Sequence, residues 1–510
     1  NALDLNDLTE DYPSDTRKFI SAYFILDITD PENPPTLLAE MTSTGAEADL
    51  GYTTVISTAV PMKTDDSTSA WHLILGSGPT ELDTTSTQNA KIAVLPLEWL
   101  VDNWPVGTSR KPFRIPNALP GSDQGGVFTL PDTNSFISDP ITVDFDLDYN
   151  YKADAVYFGT VQGGWYDGLS YDPPAGSGWG GKLYRLVTHK EDYEGNEVAS
   201  LPSEWSALVS PNPCPLIDVQ QPVTAAPAVG SDRDGNYWVY FGTGRFLDPD
   251  DKTDATNPIT ELTYEGSSNA QQTFYGIKEP LVPLDPLDPL SPLIFTWEEV
   301  EKTGTHGSVP GSQGLLQVDQ IQVCGDASCG TIGGLSCIDG TTNCLPVVDS
   351  VPISSFSDLK TYINGTDGWY KDLLEDRERN LGQATLLGGL LTFTTYQPFD
   401  DVCMSEGLGY LYGVHYQTGT ACKEAVFTGG GGYGNSATGL VEEGSNKGEV
   451  VDKMNLGRGL VLSPSLHLGS QEGTTAVVQT STGDIVKIPQ PELPEGNAKT
   501  GRISWRDLTW

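Results

Sequence analysis

Short apolar runs recur along the chain in three kinds of phrase. In the first kind, two to four aliphatic or aromatic residues precede Gly-Ser or Gly-Thr, as at residues 72–77, 156–160 and 239–243. In the second kind, Tyr or Phe alternates with aliphatic residues, as at 183–187 and 274–277. The third kind is a strand-like run beside a turn of small residues, and it precedes the first kind. Each phrase has the length and composition of a β-strand.

A group of three or four short strands that repeats about five times at uneven spacing is typical of β-propeller blades with long loops. Each blade buries one face on the next, and this explains why the strands are apolar on both faces. The sequence therefore predicts an all-β propeller with five or more blades, formed as a single domain over residues 1–510. The third kind of phrase occurs five times, once for each of these repeats, at residues 54–61, 140–145, 223–229, 384–391 and 461–466.

The stretch at 281–381 interrupts the repeat. It opens with a proline-rich run at 283–289 and then carries a group of cysteines. It also holds the best helix candidate, because Ser355 and Asp358 have the spacing of a capping box and Gly365 is a natural stop. We predict a cysteine-containing insertion with one short helix, lying over one face of the propeller.

Composition narrows the classes of function. The chain has 510 residues, including 56 Gly and 36 Pro, and a formal net charge of −41. Such a surface repels phosphate backbones and attracts divalent cations, so nucleic acid is excluded as a partner. We find no apolar run of membrane-spanning length. The first residue is Asn1, and we expect a processed chain or a C-terminal fragment of a longer protein.

The seven cysteines predict disulfides and an oxidising compartment. Four of them crowd the segment 324–344 without a C-x-x-C spacing, which disfavours zinc and c-type haem. Cys403 and Cys422 flank a hairpin-like stretch and are the best candidates for a single bridge. Cys214 is left over, either as a free thiol or with a partner in a missing segment.

The acidic loop at 146–154 carries the clearest sign of chemistry. Its oxygen side chains stand at loop positions 1, 3, 5 and 9, and position 7 is Lys152, which would offer its backbone carbonyl. This is the front part of the spacing with which a short loop wraps Ca²⁺, an ion that takes six to eight oxygen ligands. The predicted ligands are Asp146, Asp148, Asn150, Lys152 and Asp154.

The loop is not an EF-hand. Tyr157 stands where the bidentate Glu would be, and Tyr151 stands where the Gly would be. Apolar strands at 141–145 and 155–158 flank it in place of helices. The alternative is an ordinary Asp-rich turn, because Asp is a common turn residue and the chain is very acidic.

Other motifs disfavour an enzyme. Two G-x-G-x-x-G matches, at 176–181 and 429–434, lack the strand–helix context of a dinucleotide site. The five histidines are isolated, and we expect His72 and His415, which fall in strand phrases, to be packed residues. The acidic run at 248–254 reads as a solvated loop, with a second calcium site as the alternative. No catalytic residue and no organic cofactor site is predicted.

With these pieces in place, the chain resembles the C-terminal domain of the PilY family, type IV pilus biogenesis factors and tip-associated adhesins. The matching stretches are scattered over nearly the whole chain, at residues 23–34, 224–230, 238–247, 272–278, 378–381, 388–394 and 501–508.

The resemblance implies a modified seven-bladed β-propeller, shaped like the quinoprotein dehydrogenases, with long loop insertions. It implies that Asp146, Asp148, Asn150 and Asp154 are calcium ligands, with Lys152 bound through its carbonyl, and that calcium regulates pilus extension and retraction. The family more often has Asn at the second position and Asp at the third, so this chain keeps the oxygens and redistributes the charge. From the resemblance we also expect that the N-terminal adhesive half of full-length family members lies outside this chain.

Two classes of function follow. The first is a non-catalytic pilus component at the extracellular tip or outer cell surface, reached through the periplasm. It would bind minor pilins and contact a surface or host receptor through the missing N-terminal region. The alternative is a quinoprotein-type dehydrogenase or another secreted propeller enzyme, such as a glycosidase. Against the dehydrogenase stands the absence of a Cys-Cys pair, and shape alone does not specify function.

Overall fold

The computed structural model describes most of the chain from residue 22 to residue 494, and the following refers to those parts alone. They are residues 22–42, 49–63, 69–81, 84–102, 113–114, 125–145, 152–163, 179–191, 197–199, 201–205, 212–247, 251, 271–283, 293–303, 314–329, 331–337, 347–348, 351–399, 406–427, 439–444, 446–469, 473–490 and 493–494.

Short strands make up most of the described structure. The first strands are β1 (Ala22–Asp27), β2 (Thr36–Thr42), β3 (Thr58–Lys63), β4 (Ser69–Gly76), β5 (Lys91–Pro96), β6 (Phe113–Arg114), β7 (Gly126–Thr129), β8 (Ser135–Ile137), β9 (Ile141–Val143), β10 (Ala155–Gly163) and β11 (Trp179–Gly180). Next come β12 (Lys182–Val187), β13 (His189–Glu191), β14 (Glu197–Ala199), β15 (Cys214–Asp218), β16 (Ala228–Ser231), β17 (Tyr237–Gly242), β18 (Thr273–Lys278), β19 (Leu281–Pro283), β20 (Leu293–Phe295), β21 (Leu315–Gln317) and β22 (Ile321–Val323). The last are β23 (Leu335–Cys337), β24 (Val347–Val348), β25 (Val351–Pro352), β26 (Gly368–Asp372), β27 (Thr385–Leu387), β28 (Leu390–Pro398), β29 (Gly407–His415), β30 (Lys453–Arg458), β31 (Ser465–Gly469), β32 (Gly473–Gln479) and β33 (Ile485–Gln490).

The helical elements are few: α1 (Leu97–Asp102), α2 (Phe356–Asn364) and a 3₁₀ turn at Pro202–Glu204. Helix α2 begins and ends where the sequence predicts. Ser355 caps it by accepting from the Asp358 N–H, the Asp358 side chain accepts from the Ser355 N–H, and Gly365 is the C-cap. These reciprocal bonds satisfy two of the donors that a helix start leaves without partners.

Six larger sheets follow one another in chain order, and four two-stranded hairpins lie beside them. Sheet 1 is β1-β2-β6, sheet 2 is β3-β4-β5-β7, and sheet 3 is β11-β10-β12-β15 with β8 and β9 also paired to β10. Sheet 4 is β16-β17-β18-β26-β21, sheet 5 is β27-β28-β29-β30, and sheet 6 is β31-β32-β33. Most pairs are antiparallel, and the parallel ones are β2 with β6 and β21 with β26.

Sheets that are consecutive in the chain pack against each other. In β10, Val156 and Phe158 face a core shared with sheet 2, whereas Ala155 and Tyr157 face a core shared with sheet 4. Such alternation follows from the two-residue period of a strand. Similar cores join sheet 1 to sheet 2, sheet 4 to sheet 5, and sheet 5 to sheet 6. The apolar phrases of the sequence are therefore strands buried on both faces.

The recurring Gly-Ser and Gly-Thr phrases are hydrogen-bonded junctions between strands and between sheets. Each hydroxyl accepts from the N–H of the neighbouring strand, at 2.8–2.9 Å, in the pairs Lys91–Ser77, Lys182–Thr160 and Thr273–Thr243. Each backbone carbonyl accepts from the segment that enters the next sheet, at 2.9–3.0 Å, in the pairs Ile137–Ser77, Val223–Thr160 and Asn380–Thr243. We call these three sites the sheet junctions.

The glycine of each junction is required by the close approach of the next sheet. A Cβ at Gly159 would lie 2.3 Å from the side chain of Val223 and 2.6 Å from its carbonyl oxygen. At Gly242 a Cβ would lie 2.4 Å from Asn380 Cβ. Real Cβ atoms do not approach heavy atoms this closely, so the repeat preserves glycine because any side chain would push the sheets apart.

The all-β prediction is confirmed, since the described residues are mostly strand with few helices. Six sheets stacked in chain order are the arrangement expected of successive blades. Among the described residues no core cluster joins sheet 6 to sheet 1, and the seven-bladed form stays a prediction.

The cysteine-containing stretch 281–381 is partly built into sheet 4. Its strand β26 pairs antiparallel with β18, and its strand β21 pairs in parallel with β26. A disulfide joins Cys324 to Cys329 beside the small hairpin β22–β23. The stretch thus supplies the outer strands of sheet 4 as well as the predicted helix.

Candidate metal centre

The predicted calcium loop joins two paired strands. Strands β9 and β10 run antiparallel, with Val143 opposite Ala155 and Ile141 opposite Tyr157. The two strands that the sequence predicts on either side of the loop are thus paired with each other in sheet 3. Asp146, Asp148 and Asn150 lie outside the described residues, so their part in a calcium site stays a prediction. Lys152 and Asp154 are described, and Lys152 is half-buried.

Asp154 closes the loop at its base. Its side chain is completely buried, and its Oδ2 accepts a hydrogen bond from the N–H of Phe145 at 2.8 Å. Its own N–H donates to the Val143 carbonyl at 2.8 Å. We call Phe145 and Asp154 the loop neck. A fully buried carboxylate is costly unless a donor or a cation stabilises it, and at the neck the Phe145 N–H is such a donor to Asp154.

Phe145 anchors the neck in the core between sheets 3 and 4. Its ring centroid lies 4.6 Å from that of Tyr237 and 6.2 Å from that of Tyr157, both edge-on. Its carbonyl accepts from the Tyr237 hydroxyl at 2.8 Å. Because Tyr237 begins β17, the base of the loop is bonded directly to sheet 4.

A buried ion pair lies behind the neck. Arg185 of β12 and Glu279, which follows β18, are both fully buried and form an ion pair. The Tyr157 hydroxyl donates to the same carboxylate at 2.6 Å. Burial raises the pKa of Tyr157, and the nearby Arg185 charge opposes this only in part, so the phenol stays a neutral donor.

Arg185 is held from several sides. It donates to the carbonyl of Thr296 and, through Nε, to the Cys214 sulfur at 3.3 Å, and its guanidinium lies 5.8 Å from the centre of the Phe295 ring. The planar guanidinium is suited to such a buried site because its several donors diverge in fixed directions. Cys214 is thus a buried thiol and a packing partner of Arg185.

The donor set fits a hard cation as far as the structure describes it. Carboxylate, amide and carbonyl oxygens are the ligands that Ca²⁺ takes, and Asp154 places one carboxylate at the loop base. Among the described residues no group of three or more His, Cys, Asp or Glu side chains is arranged to hold a metal. The three outer ligands of the predicted set lie outside those residues, so this finding does not test the loop.

The two histidines expected to be packed are packed. His72 is fully buried in β4, with its Nδ1 3.1 Å from the Ala70 carbonyl. His415 is 3 % exposed at the end of β29 and meets the Phe356 ring edge-on at 5.1 Å. Burial lowers the pKa of His415 to about 3, and the Lys360 charge adds to this effect. Both rings belong to the core.

The prediction of a solvated loop at 248–254 is wrong for Asp251. This carboxylate is 2 % exposed and pairs with Arg245 at 2.5 Å. Arg245 lies 3.5 Å over the Trp179 ring, and Arg379 donates to the carbonyls of Arg245 and Asp251 at 2.6 and 2.8 Å. Local composition could not reveal Trp179 and Arg379, which join this buried group from distant parts of the chain.

The predicted Cys403–Cys422 bridge is also wrong. Cys422 is a free thiol, 1 % exposed, in the core between sheets 5 and 6, and burial raises its pKa. Cys403 lies outside the described residues. Cys324 pairs with Cys329, and Cys337 is disulfide-bonded as well. The described disulfide-bonded cysteines all belong to the cysteine group of the 281–381 stretch, and the general prediction of a disulfide-containing protein is confirmed.

Known proteins are similar to this chain in sequence and in fold. No protein-family model matches the chain. Over 297 residues, 56 % of the chain, it is 22 % identical to the type IV pilus biogenesis factor PilY1 homolog of Xylella fastidiosa. That match spans 18 % of the relative's length.

The fold is similar to the crystal structure of the Pseudomonas aeruginosa PilY1 C-terminal domain. The TM-score is 0.50 at 17 % sequence identity, and the match covers 92 % of this chain and 79 % of the other. Within the described residues no helix is long and apolar enough to cross a membrane. The two matches confirm the resemblance to the PilY family found in the sequence, and the fold is similar to that of the PilY1 C-terminal domain.

Proposed function

We propose that this chain is a non-catalytic, calcium-binding part of a type IV pilus biogenesis protein. Its role would be to regulate pilus extension and retraction through the state of the 146–154 loop. The sequence match to a pilus biogenesis factor supports the pilus role. The observation that carries the calcium part is the buried Asp154 carboxylate at the loop neck, bonded to Phe145.

Calcium would be held by Asp146, Asp148, Asn150, the Lys152 carbonyl and Asp154. The ion would supply positive charge to a loop whose three carboxylates otherwise repel one another, so that occupancy orders the loop. Phe145 at the neck is bonded to Tyr237 and packs between sheets 3 and 4. A change in how well the loop is ordered would therefore be transmitted, through Phe145 and Tyr237, to the surface formed by these two sheets.

The partners in this proposal are minor pilins, bound at the pilus tip on the outer cell surface after passage through the periplasm. Contact with a surface or host receptor would come from a part of the full-length protein outside this chain. The strongly acidic composition, with a net charge of −41, favours partners with basic or calcium-bridged surfaces.

Calorimetric titration with CaCl₂ tests the metal site, and two substitutions at one position separate charge from fold. Asp154→Asn keeps an oxygen that can accept from the Phe145 N–H but loses the charge, whereas Asp154→Ala loses both. We expect Asp154→Asn to weaken calcium binding by about tenfold or more, since ligand charge sets affinity. In EDTA it should unfold at nearly the wild-type temperature, whereas Asp154→Ala should unfold earlier.

The matched control is Glu424→Gln, which removes a carboxylate from a side chain that is 54 % exposed. It should bind calcium like the wild type. Equal calcium affinity in the wild type and Asp154→Asn would remove Asp154 from the ligand set, and absence of saturable binding in the wild type would end the calcium proposal.

The pilus role is tested in cells, with the full-length gene and its Asp154→Asn variant expressed in a piliated strain that lacks its own PilY protein. The wild-type gene should restore surface pili, and the variant should alter the balance of extension and retraction, measured as pilus number and twitching motility. Failure of the wild-type gene would contradict the pilus role. Wild-type pilus number and twitching motility in the variant would contradict the regulation by calcium.

A further inference from the structure

Residues 152–154, which we call the closing limb, form the C-terminal end of the predicted calcium loop. In the proposed function this limb supplies two of the calcium ligands, the Lys152 carbonyl and the Asp154 carboxylate. Strand β10 begins directly after it and lies between β9 and β12 in sheet 3. The limb is therefore within reach of groups that extend from both neighbouring strands.

Thr188, the first residue after β12, bonds to the closing limb twice. Its N–H donates to the Asp154 carbonyl at 3.0 Å, and its hydroxyl donates to the Ala153 carbonyl at 2.6 Å. Thr188 is buried, and the adjacent pair of Ala155 with Val187 is the last of the β10–β12 ladder. The bonds of Thr188 thus continue that ladder beyond the strand and into the base of the loop.

Thr188 is itself held in place from outside the loop. Asn212 is buried and bonds to both backbone groups of Val187, with its Oδ1 accepting from the N–H at 3.1 Å and its Nδ2 donating to the carbonyl at 2.9 Å. The same Nδ2 donates to the carbonyl of Trp205 at 3.2 Å, and Trp205 packs in the core shared with sheet 2. Because these groups belong neither to β10 nor to the loop, Thr188 can position the limb rather than follow it.

The other contacts of the closing limb complete its support. Asp154 is bonded on the β9 side as well, through its N–H to Val143 and through its carboxylate to the Phe145 N–H, both at 2.8 Å. The N–H of Ala153 donates to the Pro61 carbonyl in β3 of sheet 2 at 3.4 Å. Protein groups on three strands therefore orient the backbone that carries the Asp154 carboxylate.

We propose that Thr188 is a positioning residue for the calcium site. Its two bonds hold residues 153 and 154 in the conformation that presents the Asp154 carboxylate and the Lys152 carbonyl to the ion. The inference rests on the proposed calcium function and assigns part of the affinity to a residue outside the 146–154 loop. Ordering a backbone costs free energy, and a limb that is ordered before the ion arrives does not subtract this cost from the binding free energy.

The competing interpretation is that Thr188 only satisfies buried carbonyls at the end of a strand. A buried carbonyl needs a donor, so removal of the hydroxyl lowers stability under either interpretation. The two differ in calcium affinity. A merely structural Thr188 lowers stability alone, whereas a positioning Thr188 also weakens calcium binding, as is usual when a group that orients a metal ligand is removed.

Calorimetric titration with CaCl₂ on two variants at this position tests the proposal. Thr188→Val has nearly the same shape and keeps the N–H, but it loses the hydroxyl bond to Ala153. Thr188→Ser keeps the hydroxyl. We expect Thr188→Val to weaken calcium binding about tenfold, and Thr188→Ser to bind within about twofold of the wild type.

The matched control is Thr366→Val, in the turn between α2 and β26. Thr366 is also buried, and its hydroxyl donates to the Ile363 carbonyl at 3.0 Å. This substitution removes a bond of the same kind. In EDTA it should lower the unfolding temperature about as much as Thr188→Val does, but it should leave calcium affinity unchanged.

Hydrogen exchange on the wild-type protein tests the same claim without a variant. In EDTA the Asp154 amide should exchange at least about a hundredfold more slowly than in an unstructured peptide, because the limb is ordered before the ion binds. Rapid exchange of this amide in EDTA would overturn the proposal.

Two results of the titrations would also overturn it. One is wild-type calcium affinity in Thr188→Val, and the other is equal weakening in Thr188→Val and in either Thr188→Ser or Thr366→Val. These outcomes leave the proposed calcium function intact. Absence of saturable calcium binding in the wild type would instead end the calcium proposal and the role of Thr188 with it.

Discussion

The interface between sheets 3 and 4 is built differently from the interface between sheets 4 and 5. The first holds the Arg185–Glu279 ion pair, the Tyr157 hydroxyl that donates to it and the loop neck. The second is a stack of rings, in which the Phe274 and Phe393 centroids lie 3.7 Å apart. Phe393 in turn stacks on Tyr412 at 4.7 Å.

The two kinds of interface respond differently to change. Directional bonds to a desolvated charge must be satisfied by particular partners, because removal of one partner leaves the other buried and unpaired. Stacked rings are held by area and shape and tolerate replacements of similar volume. The loop predicted to bind calcium adjoins the directional interface, where Phe145 at the neck is bonded to Tyr237. A small shift at the neck therefore acts on the interface that tolerates it least.

The largest effect is expected from Glu279→Ala, which leaves Arg185 buried without its counter-charge. We predict a loss of about 4 kcal/mol in the free energy of unfolding, measured by chemical denaturation. The double variant Arg185→Met with Glu279→Leu should recover most of it, because no charge is then stranded. Glu424→Gln is the exposed control. A loss below about 1 kcal/mol for Glu279→Ala would contradict the claim that this interface depends on the ion pair.

Phe393→Ala tests the stacked interface. We expect a loss of about 3 kcal/mol in the free energy of unfolding, since removal of this fully buried ring leaves a cavity. Phe393→Leu should cost only about 1 kcal/mol because it restores most of the volume. If Leu proved as costly as Ala in the same denaturation experiment, ring geometry rather than volume would control this interface, and the contrast with sheets 3 and 4 would weaken.

The sheet junctions should behave alike at both interfaces. Gly159→Ala forces a Cβ against Val223, and Gly242→Ala forces one against Asn380. For each substitution we predict a loss of about 2 kcal/mol in the free energy of unfolding, as is usual for overpacking. Gly126→Ala is the control, because its Cβ would meet only Phe128 at 3.4 Å. If Gly159→Ala left the free energy of unfolding unchanged, the two sheets at this junction would be able to separate easily enough to accept a Cβ.

The smallest effect concerns pH at the rim of the stacked interface. Burial raises the pKa of Glu449 to about 7, and the Asp452 charge adds to this. The folded state therefore holds a proton that the unfolded state releases near its ordinary pKa of 4.5. Stability should fall as pH rises from about 4.5 to 7, and it should depend less on pH in Glu449→Gln. An equal slope in both proteins would exclude Glu449 as the source.

Local signals made part of the fold predictable. The two-residue period and the Gly-Ser and Gly-Thr phrases identified strands of the stacked sheets, because the junction glycine and hydroxyl act within a few residues of the strand that carries them. Helix α2 was predictable from Ser355, Asp358 and Gly365, since caps bond to their own helix. The pairing of β9 with β10, on either side of the predicted calcium loop, followed from strands that are adjacent in sequence.

Partners distant in sequence were not predictable. Arg185 and Glu279 meet only because sheets 3 and 4 stack, and Asp251 lies in a buried group that Arg379 joins from 128 residues away. Cys422 lies in the core between sheets 5 and 6, so its closeness to Cys403 in sequence gave the wrong bridge.

The most direct test of the calcium site is a crystal structure of the protein grown with calcium, with an anomalous difference map calculated over the 146–154 loop. The account predicts one peak about 2.4 Å from a carboxylate oxygen of Asp154 and from the oxygens of Asp146, Asp148 and Asn150. A well-ordered loop with no peak among these oxygens, in crystals grown at about 10 mM calcium, would contradict it.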